Sequence, residues 1–410
     1  MIKFPQNFLW GAATSAYQVE GNNFHADWWQ WEKEAGKERS GPACRHYEFY
    51  KQDFDLAQKL HHNAHRLSIE WSRIEPEEGK FSQLALKHYI DVIMALKNRH
   101  IEPIVTLHHF TNPSWFSKKG GWAHGCSIKY FLRYCDVMTR TLSKHVHYWI
   151  TINEPNVYVS HAYLWGAWPP QRRSIFKATA VEDHLARAHI KAYRLIHKIY
   201  RKLNLCPPAV SIAQNVMAFV SRKRNLKNRF GAFLRDKIYN LGFLERIRRY
   251  NFFRRTPMDF IGVNYYSRQL VELKKLGFSN LMMDVADKKH NRIRKNSLGW
   301  DIYPTGIYDV LLELKKYSLP IMITENGICT SDDNLRWKYI HDHLKNIYLA
   351  MKEGVYITGY LYWSLLDNFE WDKGFNPRFG LINIDYKTFK RTVRKSARKF
   401  GQVCKTGVLK

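Results

Sequence analysis

What the sequence lacks narrows its reading first. Nowhere do about eighteen apolar residues run together, so no membrane-spanning helix is expected. The opening MIKFPQNFLWGAATSAYQVEGN carries one lysine, and glycine and polar residues break its apolar stretch. That is not the layout of a secretory signal, and the expected compartment is the cytoplasm. Cys44, Cys126, Cys135, Cys206, Cys329 and Cys404 are scattered, with no Cys-x-x-Cys pair, which suits reduced thiols better than a disulfide framework. There is no His-Glu-x-x-His, no His/Cys zinc spacing and no glycine-rich phosphate loop, so neither a metal nor an organic cofactor is expected. No Pro/Gly/Ser-rich linker divides the chain, which reads as one domain over residues 1–410. Acid is scarce: 36 Asp and Glu stand against 65 Lys and Arg, a net charge of +29. A balance that basic can signal binding to nucleic acid or an anionic surface. The plainer account is a solvated basic face that holds nucleic acid only non-specifically.

The residues that are present build a large core. Hydrophobic residues make up 45% of the chain and aromatic residues 15%. Apolar runs rich in β-branched residues recur at Phe8–Thr14, His65–Ile69, Glu102–His109, Tyr148–Asn153, Ala209–Asn215, Asp259–Asn264, Pro320–Glu325 and Ile357–Trp363. Between them, Leu84–His100, Ile128–Lys144, Asp183–Leu203, Ile307–Tyr317 and Leu335–Glu353 repeat apolar residues at three- and four-residue spacing, the helical period. Eight near-continuous apolar strands alternating with helices fit a closed parallel (β/α)8 TIM barrel, whose strands are covered on both faces. A doubly wound open sheet is the alternative, but the first strand lacks the glycine-rich turn of that fold. The stretch from Arg222 to Arg255 holds twelve Lys and Arg against Asp236 and Glu245. With Phe230, Phe233, Leu234, Ile238, Leu241 and Phe243 it reads as a barrel-facing helix with a basic outer face. A polar, basic loop from Lys274 to Asn296 is expected to cover part of the barrel mouth.

In a barrel, chemistry collects where strands end. The third strand ends in His108-His109, the fourth runs into Asn153-Glu154-Pro155, and the sixth into Asn264-Tyr265-Tyr266. The seventh ends in Thr324-Glu325-Asn326-Gly327, and the eighth runs from Trp363 to Trp371. Two glutamates at strand ends, ringed by Asn, His, Gln and Trp, suit a carbohydrate: indole faces stack on sugar C–H surfaces and polar groups bind hydroxyls. Glycosidic cleavage requires such a carboxyl pair. One protonates the leaving oxygen, and the other attacks the anomeric carbon or activates water. Singly, each glutamate could equally belong to a structural ion pair.

Thr151-Ile152-Asn153-Glu154-Pro155 and Ile323-Thr324-Glu325-Asn326-Gly327, in this order and separation, resemble the two signature segments of glycoside hydrolase family 1. The segments Phe8–Gly21, His65–Ile74 and Trp363–Trp371 are similar to that family's first, second and eighth strands, so the likeness runs nearly end to end. It implies a retaining β-glucosidase-type hydrolase acting on small β-glycosides or oligosaccharides, which could also accept galactosides or fucosides. Glu154 would be the acid/base and Glu325 the nucleophile. Asn153 would bind the sugar 2-hydroxyl, with Gln18 and Glu370 at the far edge of the glycone and His109 and Trp371 nearer its middle. Arg66 and Tyr266 would hold Glu325 ionised. Trp363, followed by a cis peptide to Ser364, would form the floor under the sugar. Trp300 would be the platform for the aglycone, and Trp122 lies in a matching loop. His108 reads as a packing residue, and Trp10, Trp71 and Trp149 as core. The cluster Trp28-Trp29-Trp31 reads as helix packing rather than a second sugar platform.

The chain also departs from the family pattern. Phe110 stands where tryptophan often follows the histidine, and the region from Arg222 to Arg255 looks trimmed. Asp372-Lys373-Gly374-Phe375 lacks the Ser/Lys/Tyr arrangement of members that cleave phospho-sugars, which argues against a 6-phospho-β-glycosidase. A retired binding scaffold usually loses a catalytic carboxylate, and both are present here.

Overall fold

The computed structural model describes residues 1–223, 225–250, 256–272 and 293–410. Within the basic run, Arg224, Arg254 and Arg255 lie outside the described residues, as does residues 274–292 of the loop expected over the mouth. Eight strands close a barrel: β1 (Leu9–Ala13), β2 (Ala64–Ser68), β3 (Glu102–His108), β4 (Tyr148–Asn153), β5 (Ala209–Ser221), β6 (Ile261–Val271), β7 (Ile321–Asn326) and β8 (Ile357–Trp363). Every neighbouring pair is parallel, and β1 and β8 shut the ring with Leu9 opposite Gly359 and Ala13 opposite Trp363.

One principal helix follows each strand: α1 (His46–Lys59), α2 (Gln83–Lys97), α3 (Ser127–Leu142), α4 (Ile175–Lys202), α5 (Leu226–Asp236), α6 (Thr305–Leu314), α7 (Asp333–Lys352) and α8 (Lys395–Thr406). Serine hydroxyls cap α2 and α4, through Ser82 to the amide of Ala85 and Ser174 to that of Lys177; α4 therefore begins well before the expected Asp183. Inside the ring, Ala64, Ile104, Ile150, Ala213, Met322 and Leu361 from six strands pack with Phe260 as the barrel's filling. Outward-facing neighbours such as Val105, Trp149 and Ile323 join the helices in a much larger core, which also takes in Trp10 and Trp71. Among the described residues, no helix is long and apolar enough to cross a membrane.

Two expectations need correction. β5 and β6 do not stop at Asn215 and Asn264; they pair on to Ser221 and Val271 after a register shift near Val216. Polar residues at a barrel mouth mark the site, not the end of hydrogen bonding. α5 also faces the other way. Its buried residues are Asn228, Gly231, Ala232 and Arg235, while Phe230 and Phe233 point outward and are 59% and 56% exposed. The small Gly231 and Ala232 permit a close approach that phenylalanine would block.

Candidate active site

Strand irregularities deliver the polar residues to one place. On β4, Thr151 points outward, where its hydroxyl meets Nδ1 of His189 on α4 at 2.7 Å. Strict alternation would then turn Asn153 outward too, but the β4–β5 register breaks between Ile150 and Asn153. On β7 the pairing breaks between Ile323 and Asn326, so Thr324 and Glu325 both serve the mouth. A bulge at a barrel rim re-aims side chains in this way. Glu154 follows β4 in the left-handed region, φ 42°, and Pro155 starts a helix immediately after it. Gly327 is required behind Glu325: a Cβ there would lie 1.8 Å from the carbonyl oxygen of Trp363. The Trp363–Ser364 peptide is cis.

Arg66 on β2 organises the centre. Its Nη1 donates to Glu325 Oε1 at 2.5 Å, its Nη2 to Asn153 Oδ1 at 2.6 Å, and its Nε to the Thr106 hydroxyl at 3.0 Å. The Tyr266 hydroxyl donates to Glu325 Oε2 at 2.5 Å. Glu154 has neutral partners instead: the amides of Asn264 and Asn215 donate to its Oε1 at 2.8 and 2.9 Å. Asn264 also donates to Asn153 Oδ1 at 3.1 Å and accepts from the Thr324 hydroxyl at 2.6 Å. With its oxygen accepting from Arg66 and Asn264, Asn153 must turn its NH2 to His109, where Nδ2 lies 3.2 Å from Nε2. His109 Nε2 is therefore an acceptor, and the ring proton sits on Nδ1.

Both glutamates are buried, 6% and 3% exposed for Glu154 and Glu325. Burial, and then the charge of Glu325, push the Glu154 carboxyl up to about 8. Burial also raises Glu325, but the Arg66 guanidinium and the Tyr266 hydroxyl oppose it and favour its ionised form. A proton shared between the two therefore rests on Glu154. Burial, and then the charge of Glu325, push Glu370 up to about 8, and Gln18, which donates to it at 3.3 Å, pulls the other way. Burial drives His109 far below the ordinary histidine range, so it is neutral.

These groups open into a cavity of about 580 Å³. At its inner end stand Gln18, His109, Asn153, Glu154, Glu325, Glu370, Trp363 and Trp371. Gln18 is fixed by its amide, which donates to the Phe369 carbonyl at 2.8 Å and Asn368 Oδ1 at 3.0 Å. Trp363 and Trp371 lie near-parallel to the His109 ring, at 6.1 and 6.0 Å. Toward the outside the wall turns apolar, with Met217, Phe219, Ile238, Leu270, Leu298 and Trp300.

All but one of the residues singled out from the sequence line this cavity or, like Arg66, hold one that does. The exception is Trp122. It is fully buried, and its indole N–H donates to Asn112 Oδ1 at 3.0 Å and His108 Nε2 at 3.3 Å. Its short helix, Gly121–Ala123, turns the ring toward α3 instead of the mouth. Asn215 and Asn264, the partners of Glu154, were not assigned roles from the sequence; their position at strand ends was the available signal. Trp28 packs beneath the site, 4.8 Å from Trp371, and Trp168 lines the cavity 5.9 Å from the same ring. Arg235, read as part of a basic outer face, is 3% exposed and lines the cavity.

A closed parallel barrel that gathers a buried carboxyl pair, amides and indoles at the C-terminal ends of its strands defines a glycoside hydrolase. The chain belongs to glycosyl hydrolase family 1, whose family model matches residues 1–249 and 249–408. It is 33% identical over 451 residues to a 1,4-beta-D-glucan glucohydrolase of Thermotoga neapolitana, with all of both chains covered. Among solved structures it is similar to a beta-glycosidase from Pyrococcus horikoshii, 41% identical at a TM-score of 0.92, covering 100% of this chain and 96% of that one. It is also similar to a beta-glucosidase from Thermotoga maritima in complex with glucoimidazole, 32% identical at a TM-score of 0.92, covering 99% of this chain and 100% of that one.

Proposed function

We propose that this single catalytic domain is a cytoplasmic, retaining β-glucosidase that removes terminal non-reducing β-D-glucosyl residues and also accepts β-galactosyl or β-fucosyl residues. The observation that carries this reading is the unequal treatment of two buried carboxyls: Glu325 is held by a guanidinium and a phenol, Glu154 by neutral amides alone. The first arrangement suits a nucleophile and the second a proton donor. Glu325 attacks the anomeric carbon as Glu154 gives its proton to the departing oxygen, so that the glycosidic bond breaks and a glycosyl–Glu325 ester forms. Water, deprotonated by Glu154, then attacks the same carbon and releases Glu325. Gln18, Glu370, Asn153 and His109 bind the glycone hydroxyls. Trp363 and Trp371 flank the sugar, and Trp300 receives the aglycone.

Half-buried Glu370, its carboxyl pushed up to about 8, also supports a neutral sugar, since it offers a phosphate no cation and repels one when ionised. The free thiols of the exposed Cys126 and Cys206 suit a reducing compartment. The test is a panel of aryl β-glycosides: glucoside, galactoside, fucoside and 6-phosphoglucoside. Turnover should be fastest on the glucoside and change little with salt, because a neutral ligand is not steered by charge. A 6-phosphoglucoside that is much the better substrate, and loses that advantage in salt, overturns the reading.

A further inference from the structure

α5 carries its large apolar residues on the wrong side for a helix packed on a barrel. Leu226, Phe230 and Phe233 are 83%, 59% and 56% exposed, whereas its buried face is Asn228, Gly231, Ala232 and Arg235. Offsets of four and three residues put the exposed three on one stripe. Exposed Lys223, Lys227 and Arg229 flank it, and Lys237 Nζ lies 5.1 Å from the centre of the Phe233 ring. Between residues 222 and 250 the sequence offers only two acids, Asp236 and Glu245. Each is half-buried and pairs with a base, Asp236 with Lys237 at 3.3 Å and Glu245 with Arg248 at 2.9 Å. From other elements Glu272 pairs with Arg222 and Lys223, at 2.6 and 2.9 Å, and Glu313 pairs with Lys237, so the rim of the apolar stripe holds more cations than acids, on a protein of net charge +29. A contiguous exposed apolar patch marks a place of contact.

We propose that α5 docks the protein on the surface of an anionic lipid bilayer. Leu226, Phe230 and Phe233 enter the boundary between headgroups and acyl chains, and Lys227 and Arg229 meet the lipid phosphates. Charge complementarity selects an anionic partner, and the stripe selects a bilayer over nucleic acid: a polyphosphate backbone rewards the cations but not Leu226. The docked helix is itself part of the cavity wall, through Arg235, with Ile238 and Tyr239 following in the next turn. Docking therefore belongs to the same face as the aglycone side of the site.

The proposal is tested by flotation of the full chain with vesicles of phosphatidylglycerol or phosphatidylcholine, at low and high salt. The wild-type protein should float with phosphatidylglycerol alone. Phe230→Ser/Phe233→Ser and Lys227→Glu/Arg229→Glu should each weaken binding at least tenfold while leaving the thermal melt unchanged, since all four side chains are exposed. Absence of flotation overturns the proposal. So does undiminished flotation of the phenylalanine variant, or competition by duplex DNA that the phenylalanine changes do not affect. A self-association abolished by those changes, without vesicle binding, also overturns it and makes the stripe an interface between copies of the chain.

Discussion

Arg66 and Glu325 lie on strands at opposite ends of the chain's order, yet the guanidinium Nη1 sits 2.5 Å from Glu325 Oε1 with both side chains buried. An unpaired charge at either position would be strongly unfavourable. The pair therefore fixes Glu325 as an ionised group, and the neutral environment of Glu154 fixes the complementary partner.

Glu325→Gln should reduce turnover to background on every substrate, because the glycosyl–enzyme ester can no longer form. Glu154→Gln should cost roughly 10²–10⁴-fold on a poorly activated glycoside and much less on a dinitrophenyl glycoside, whose leaving group needs little protonation. Steady-state kinetics on both substrate types check this; near wild-type rates for Glu325→Gln on the activated one would misassign the nucleophile.

Early product should be the β-anomer, visible by NMR before mutarotation. The matching geometry is a carboxyl separation of about 5–5.5 Å, too short to admit water between Glu325 and the attacked carbon. An α-anomer formed first would make Glu325 a general base instead.

The pH profile of kcat/KM on an unactivated glucoside should be a bell. Its basic limb reports loss of the Glu154 proton, held up to about 8 by burial and by the Glu325 charge. Removing that charge in Glu325→Gln must lower the Glu154 value, since a repelling neighbour is gone. A ¹³C titration of Glu154 in both proteins measures the shift; an unchanged value would mean that burial acts alone.

Tyr266→Phe deletes a donor to the ionised form of Glu325. Loss of a hydrogen bond to a charged group is worth about 1.5–3 kcal/mol, or roughly 10–100-fold in rate. The Glu325 pKa should rise, and the acidic limb of the profile should move to higher pH. A fall in rate with a stationary acidic limb would assign Tyr266 to substrate binding alone.

Trp122→Phe separates a buried packing residue from a sugar platform. Removing the indole N–H strips Asn112 Oδ1 of a buried donor, at a cost of about 1–3 kcal/mol in stability. KM for aryl glycosides should stay constant, and chemical denaturation should show the loss. A raised KM with intact stability would return Trp122 to the site.

The barrel is legible in the sequence because strands buried on both faces are written as continuous apolar runs, and because Glu154 and Glu325 follow two such runs directly. The roles of Asn215 and Asn264 are not legible, since an asparagine at a strand end carries no sign of which carboxylate it meets. Nor does period-two alternation foretell the breaks at Ile150 and Ile323 that bring Asn153 and Glu325 to the mouth. Trp122 misleads for a related reason: an indole near a barrel mouth has the same letter whether it faces sugar or an asparagine. On α5 the apolar pattern is correct, but amphipathicity alone does not say which side meets the barrel.

Gln18 and Glu370, hydrogen-bonded in the finished site, are 352 residues apart. A ribosome adding about 5–20 residues per second needs roughly 20–70 seconds to travel from one to the other. For that time β1 has no β8 to close against, and the amide of Gln18 waits for partners that have not been synthesised. The nascent chain has an open sheet edge and half a pocket, so the last barrel strand, with Glu370 and Trp371 directly behind it, closes the ring and the site together.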